Sequence, residues 1–148
     1  ATRLSALNFL DNGGAIGVFP GGTVSTAQRP FGVPMDPGWR SFTAKMITRS
    51  DAQVVPIFFE GHNSRLFQVA SHIHYNLRIG LLIKEFKSKV GNPVKIAIGN
   101  PLSDTAIKSR SGNPRILMDF LREETYKLSR TPLDNFNYGY EFESRYKI

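Results

Sequence analysis

Short apolar runs alternate with longer amphipathic segments along this chain of 148 residues, and that alternation restricts its fold more than any other feature. Three runs, residues 15–19, 53–59 and 94–98, have the length and the β-branched or aromatic content of strands. The other segments repeat apolar residues at three- and four-residue steps, as helices do: 2–11, 39–50, 63–71, 77–89 and 114–128. The order predicts an α/β domain with a mixed, partly parallel sheet flanked by helices.

The length suits one hydrophobic core, so we expect residues 1–130 to form the C-terminal part of one domain. The chain starts at Ala1 inside a helical pattern, which predicts a domain that is incomplete at its N-terminus. Residues 131–148 form a tail without helical or strand period. We expect a strap over the core, with a partner or lipid contact as the alternative. Its aromatic residues are Phe136, Tyr138, Tyr140, Phe142 and Tyr146.

Charge and composition limit the possible partners. Nineteen Lys and Arg against twelve Asp and Glu give a formal charge of +7, which favours phosphates, acidic lipids or other anions. The chain has no cysteine, so disulfides and thiolate metal sites are excluded. No apolar run approaches the roughly 20 residues of a transmembrane helix. The aromatic and basic residues are not interleaved as in RNA-binding motifs, so no nucleic acid is expected.

The segment Phe19-Pro20-Gly21-Gly22-Thr23-Val24-Ser25 follows the first apolar run and is the best candidate for a binding loop. Glycines let a ligand approach the backbone, and two hydroxyls can donate hydrogen bonds to it. The alternative is a sharp turn with ordinary hydroxyl caps. A nucleotide P-loop is excluded because no Gly-Lys-Ser or Gly-Lys-Thr follows.

This segment resembles the FPEGTRS block of glycerolipid and lysophospholipid acyltransferases, and Val54-Val55-Pro56-Ile57 resembles their VVPV block, in the same order. Residues 36–42 and 59–64 look more narrowly like the hemolysin-type and ornithine-lipid branch of that superfamily. The likeness runs from about Leu4 to Leu102. It implies transfer of a fatty acyl group from acyl-carrier protein or coenzyme A to the hydroxyl of a lysolipid, without a further cofactor.

The same resemblance implies that a His and an Asp, with four residues between them, act as general base and orienting group upstream of the FPEGTRS-like block. His62, His72 and His74 are each followed, five positions later, by a residue other than Asp. We therefore expect no catalytic residue within this chain, a catalytic pair before Ala1, and no transferase activity from these 148 residues alone. A non-catalytic module that binds lipid head groups or an anionic surface is the alternative function.

The resemblance also implies a lysolipid-binding site. Its expected residues are Phe19, Pro20, Gly21, Gly22, Thr23, Ser25, Arg40, Lys45, Val55 and Pro56. Gly21 and Val24 stand where the block has Glu and Arg, so a bidentate contact from guanidinium to phosphate is missing at Val24. That favours an acceptor without this phosphate, such as a lyso-ornithine lipid. Arg29, Arg40 and Lys45 could substitute if the loop folds back towards them, and the alternative is that each is a solvated surface charge.

The remaining expectation concerns a membrane. Phe67, Leu81, Leu82 and Phe86, together with Lys84, Lys87 and Lys89, could form a basic apolar surface that meets anionic lipid. Core packing of these apolar residues, with solvated lysines, is the alternative. We expect a cytoplasmic protein that is peripheral on the inner face of the cytoplasmic membrane. Zinc binding by the histidines and Glu60 is possible in principle, but we expect capping or exposed histidines and no metal site.

Overall fold

The computed structural model describes residues 2–141, apart from the side chains of residues 2 and 3. Within that range the helices are α1 (Thr2–Asp11), α2 (Phe42–Ile47), α3 (Arg65–Ile73), α4 (Tyr75–Lys89), α5 (Asp104–Lys108) and α6 (Pro114–Tyr126). The strands are β1 (Thr26–Ala27), β2 (Pro34–Met35), β3 (Ile57–Phe59) and β4 (Ile96–Ile98). No helix in this part of the chain has the length and apolarity that crossing a membrane requires.

The strands form two small sheets, β1 with β2 and β3 with β4. In the first sheet the strands are antiparallel, with Thr26 opposite Met35 and Ala27 opposite Pro34. Between residues 2 and 141 no parallel pair is seen, so the partly parallel sheet stays a prediction. The sequence pattern predicts a strand at residues 15–19, but these residues form no strand in the described structure. An apolar run becomes a strand only when its backbone forms hydrogen bonds to a second segment.

The described residues divide into two compact units, one of 2–22, 39–58 and 97–133, the other of 23–38, 59–96 and 134–141. The first unit has its core where α2, α5 and α6 meet. Its buried members are Ala44, Ile107, Leu117, Met118 and Leu121. Helix α6 begins where expected because the Asn113 side chain accepts hydrogen bonds from the backbone N–H of Arg115 and Ile116, and Pro114 occupies the first turn.

The second unit is built on the hairpin of α3 and α4. Ser64 caps α3, its hydroxyl oxygen accepting from the Phe67 N–H at 3.3 Å, and it also hydrogen-bonds the Glu85 carboxylate of α4 through its side chain and its backbone. Phe67 and Gln68 of α3 are fully buried. The tail enters this unit: the Tyr140 N–H donates to the Thr26 carbonyl at 3.0 Å. The unit therefore joins segments far apart in sequence around β1.

Candidate functional site

Residues 19–22 form a closed turn in the first unit. The Gly22 N–H donates to the Phe19 carbonyl at 3.3 Å, and the Arg40 N–H donates to the Pro20 carbonyl at 3.0 Å. Gly22 has φ of +65°, in the left-handed region that glycine adopts without steric cost. Gly21 is buried, whereas the Phe19 side chain is 77% exposed. The backbone of the turn is thus fixed while its aromatic residue faces solvent.

The Arg40 side chain lies against this turn. Its Nε atom is 2.9 Å from the position that a Cβ atom at Gly22 would occupy. Only a glycine leaves room for the guanidinium stem at this distance. Lys45, the other cation expected at the site, has an exposed side chain on α2. The structure therefore brings Arg40 to the turn and places Lys45 on the surface of a helix.

Val55 and Pro56 precede β3 in the same unit. Val55 is 41% exposed, whereas Pro56 is buried, and the Pro56 carbonyl accepts from the Gly99 N–H at 3.0 Å. Pro56 also lines a cleft of about 460 Å³ with Leu102, Phe120 and Leu128. Glu124 and Lys127, paired at 2.6 Å, belong to the lining as well. Residues 19–22 are not among the residues that line this cleft.

Thr23 and Ser25 belong to the second unit and are half-buried. The Ser25 hydroxyl donates a hydrogen bond to Oδ1 of Asp36. A hydroxyl has one proton and two lone pairs. While the Ser25 hydroxyl donates its proton to Asp36 in a hydrogen bond, its oxygen can still accept a hydrogen bond from another hydroxyl. Asp36 is a partner of Ser25 that was not among the residues expected at the binding site.

Helix α3 and the tail hold β1 in place immediately after Ser25. The Ala27 N–H donates to Gln68 Oε1 at 2.9 Å, and the Ala27 carbonyl lies 2.9 Å from His72 Nε2. The ring centroids of His72 and Tyr140 are 4.7 Å apart. Gly139 passes so close to Met35 that a Cβ atom there would overlap the Met35 carbonyl. Among the tail aromatics, Phe142 and Tyr146 lie outside the described residues.

Arg78 of α4 contacts the residues on either side of Ser25. It is only 4% exposed. Its Nη1 atom donates to Thr26 Oγ1 at 2.9 Å and to Ser71 Oγ at 2.7 Å, and its Nη2 atom donates to the Val24 carbonyl at 3.4 Å. Hydropathy alone assigns an Arg on an amphipathic helix to solvent, so sequence reasoning had no signal for this residue.

The exposed face of α4 differs from the expected one. Phe67 is fully buried and so cannot belong to a surface, and Leu81 and Leu82 are half-buried. Lys89 donates to the Asn63 side chain at 2.6 Å. The apolar stripe consists instead of Ile79, Ile83 and Phe86, which are 39%, 57% and 71% exposed.

Glu85 lies on the side of α4 that faces Ser64. Burial by itself would raise the pKa of the Glu85 carboxyl. Hydrogen bonds from the Ser64 side chain and backbone, with the positive charges of Lys89 and Lys84, outweigh that effect and hold the pKa below its ordinary value. Glu85 is therefore charged near neutral pH and stabilises the α3–α4 hairpin.

The histidines have structural contacts. His74 caps α4, its Nδ1 accepting from the Asn76 N–H at 3.1 Å, and His62 Nδ1 lies 2.9 Å from the Asn63 carbonyl. Across the part of the chain that the structure describes, no three His, Asp or Glu side chains gather as metal ligands would.

Comparison with known families assigns the class of protein. A family model described as acyltransferase matches residues 4–135, which is most of the chain. The chain belongs to this acyltransferase family. No curated protein and no solved structure matches it.

Proposed function

We propose that the protein transfers a fatty acyl group from acyl-carrier protein or coenzyme A to the free hydroxyl of a lysolipid, and that residues 19–25 bind the acceptor. The observation that carries the proposal is the fixed turn at Gly22 with the Arg40 guanidinium against it, in a chain that belongs to an acyltransferase family. A rigid backbone beside a cation suits an anionic head group whose hydroxyl must be held still.

The chemistry requires one proton transfer. The acceptor oxygen attacks the thioester carbonyl, the new C–O bond forms, the C–S bond breaks, and the hydroxyl proton passes through a general base to the departing thiolate. In this proposal the base is the His of a His-Asp pair N-terminal to Ala1. The present chain then supplies acceptor binding, and these 148 residues alone are inactive.

The residue types around the turn favour a particular class of acceptor. Val24 stands where the related block has Arg, so this position cannot contact a phosphate through a guanidinium group. The Arg40 guanidinium instead lies beside Gly22. One guanidinium can form a bidentate pair with a carboxylate. A lysolipid with an amino-acid head group, such as lyso-ornithine lipid, offers that carboxylate, so it is the acceptor we propose.

Helix α4 supports a membrane location for this reaction. The apolar stripe of Ile79, Ile83 and Phe86 lies on one side of the helix, since its members are four and three residues apart. Lys84 and Lys87 are exposed on the same helix. Apolar side chains beside cations suit the surface of an anionic bilayer, so we propose that the protein is peripheral on the inner face of the cytoplasmic membrane.

A panel of lysolipids with acyl-carrier protein and coenzyme A thioesters, assayed on the protein with its upstream His-Asp segment, tests the proposal. Lyso-ornithine lipid is expected to be acylated in preference to lysophosphatidate. Arg40→Gln should raise the KM for the acceptor roughly tenfold, the size of one charge-assisted hydrogen bond. Arg49→Gln, which alters another exposed Arg, is the control and should leave this KM unchanged. Failure to acylate any lysolipid contradicts the proposal.

A non-catalytic lipid-binding module is the second candidate, because none of the three histidines has the spacing to Asp that the resemblance implies for the catalytic pair. Binding of the protein to anionic vesicles with no turnover of any thioester, also with the upstream segment present, would favour the module over the enzyme.

A further inference from the structure

The buried guanidinium of Arg78 connects helix α4 to both sides of Ser25. Its donors reach the Thr26 hydroxyl and the Val24 carbonyl, which belong to the residues immediately after and before Ser25. The Thr26 hydroxyl also donates to the Val24 carbonyl at 2.9 Å. Arg78 and Thr26 therefore define together the path of the backbone through Ser25.

The surroundings of Arg78 also fix its own position. Ser71 of α3 accepts from Nη1 at 2.7 Å, and the Phe67 ring lies 4.9 Å from the centre of the guanidinium group. A planar guanidinium with donors in fixed directions can hold two loop atoms and one helix atom at once, which a single ammonium group cannot reproduce in the same geometry. Taking a charge out of water is costly, and the hydrogen bonds to Thr26, Ser71 and Val24 offset that cost.

The loop held in this way carries the Ser25 hydroxyl that bonds Asp36. The two lone pairs of its oxygen are available to an acceptor alcohol only if the residue keeps its orientation. We propose that Arg78 is a positioning residue for the acceptor, acting through Val24 and Thr26 on Ser25. This inference rests on the proposed acyl transfer and adds to it the residue that fixes the acceptor loop.

The experiment measures the KM for lysolipid, the KM for acyl donor and kcat of the protein with its upstream segment, in Arg78→Lys, in Thr26→Val and in the double variant. Each single substitution should raise the acceptor KM about tenfold, because each removes the hydrogen bond from the Arg78 guanidinium to the Thr26 hydroxyl. The donor KM should not change. The double variant should be no worse than Arg78→Lys alone, because both changes break the same connection.

Thr125→Val provides the matched control. Thr125 is also a buried threonine, and its hydroxyl bonds the Leu121 carbonyl within α6. This substitution should lower stability without changing the acceptor KM. If Arg78→Lys does not fold, a comparison of the acceptor KM between Thr26→Val and Thr125→Val still tests the positioning role.

The possible failures are distinguishable. Absence of turnover in the unmodified protein refutes the proposed function, and this inference with it. Turnover in the unmodified protein, with an acceptor KM that is unchanged in Thr26→Val or that rises equally in Thr125→Val, refutes the positioning role alone. Additive effects of Arg78→Lys and Thr26→Val on the acceptor KM would refute it as well.

Discussion

Substitution of Gly22 by alanine tests the geometry of the turn on which the proposed acceptor site depends. A residue with a Cβ atom at φ of +65° occupies the left-handed region, which costs about 1–2 kcal/mol for an L-residue. Alanine also restricts the unfolded chain, which offsets about 0.4–1 kcal/mol of that cost. We therefore expect the free energy of unfolding to fall by about 1 kcal/mol.

A second consequence concerns Arg40. The new methyl group would lie 2.9 Å from Nε, so the guanidinium stem must move away from the turn. Because the Arg40 side chain is exposed and long, its guanidinium can move into solvent. This displacement should remove the cation from the acceptor site, and the KM for lysolipid should rise as in Arg40→Gln.

Two other glycines separate these effects. Gly91 has φ of +80°, and a Cβ atom added there would meet nothing within 4 Å, so Gly91→Ala should lose about the same stability without any change in acceptor KM. Gly17 has neither a positive φ nor a close neighbour, so Gly17→Ala should not destabilise the protein. Urea unfolding and acyl-transfer kinetics measure the two quantities. The reasoning is refuted if Gly22→Ala behaves like Gly17→Ala in stability, or like Gly91→Ala in acceptor KM.

Three further expectations concern the core, the hairpin and the surface. Leu117→Ala, at a fully buried position, should cost about 3 kcal/mol in urea unfolding, whereas Ile116→Ala, at a neighbour that is 53% exposed, should cost less than about 1 kcal/mol; equal losses would contradict the packing of α6. Because the folded-state pKa of Glu85 is lowered, the contribution of Glu85 to stability is complete above the ordinary pKa and is lost as the pH falls towards the folded value. Glu85→Gln should remove this part of the acid dependence of stability. If the unfolding midpoint of this variant keeps the same pH profile, Glu85 makes no such contribution. Phe86→Ser should weaken co-sedimentation with anionic vesicles roughly tenfold while Ile116→Ser leaves it unchanged, and equal binding by both variants would contradict a docking stripe on α4.

The helices were predictable from sequence because their signals are local. Apolar spacing and the Asn113-Pro114 start located α6, and Leu117 and Leu121 are buried as expected. The same spacing predicts that Ile116, Leu117, Phe120 and Leu121 face inward, and for Ile116 this is wrong, because it is 53% exposed while Met118 is buried. Helix α5 was missed because it is only five residues long, although its Ser103 cap was a readable signal and Ile107 enters the core.

The strands and the site were less predictable because they depend on distant residues. Strands β1 and β2 have two residues each, too few for alternation to be visible, and they lie in a segment that reads as an irregular loop. Arg78 contacts a residue 52 positions away, and no local pattern reports such a contact. The acyltransferase assignment came from motif likeness, which the family match confirms at the level of the family. Acceptor, donor and membrane location stay predictions.

Photo-crosslinking of a lysolipid tests the central claim most directly. A lyso-ornithine lipid with a photoactivatable group beside its hydroxyl would be irradiated with the protein, digested with trypsin and analysed by mass spectrometry. Label is expected in the peptide of residues 4–40, which trypsin leaves intact because Pro30 follows Arg29. Unlabelled lyso-ornithine lipid should compete it away. Competable label confined to the peptide of residues 96–108, which lines the cleft beside Pro56, would contradict the claim that residues 19–25 bind the acceptor.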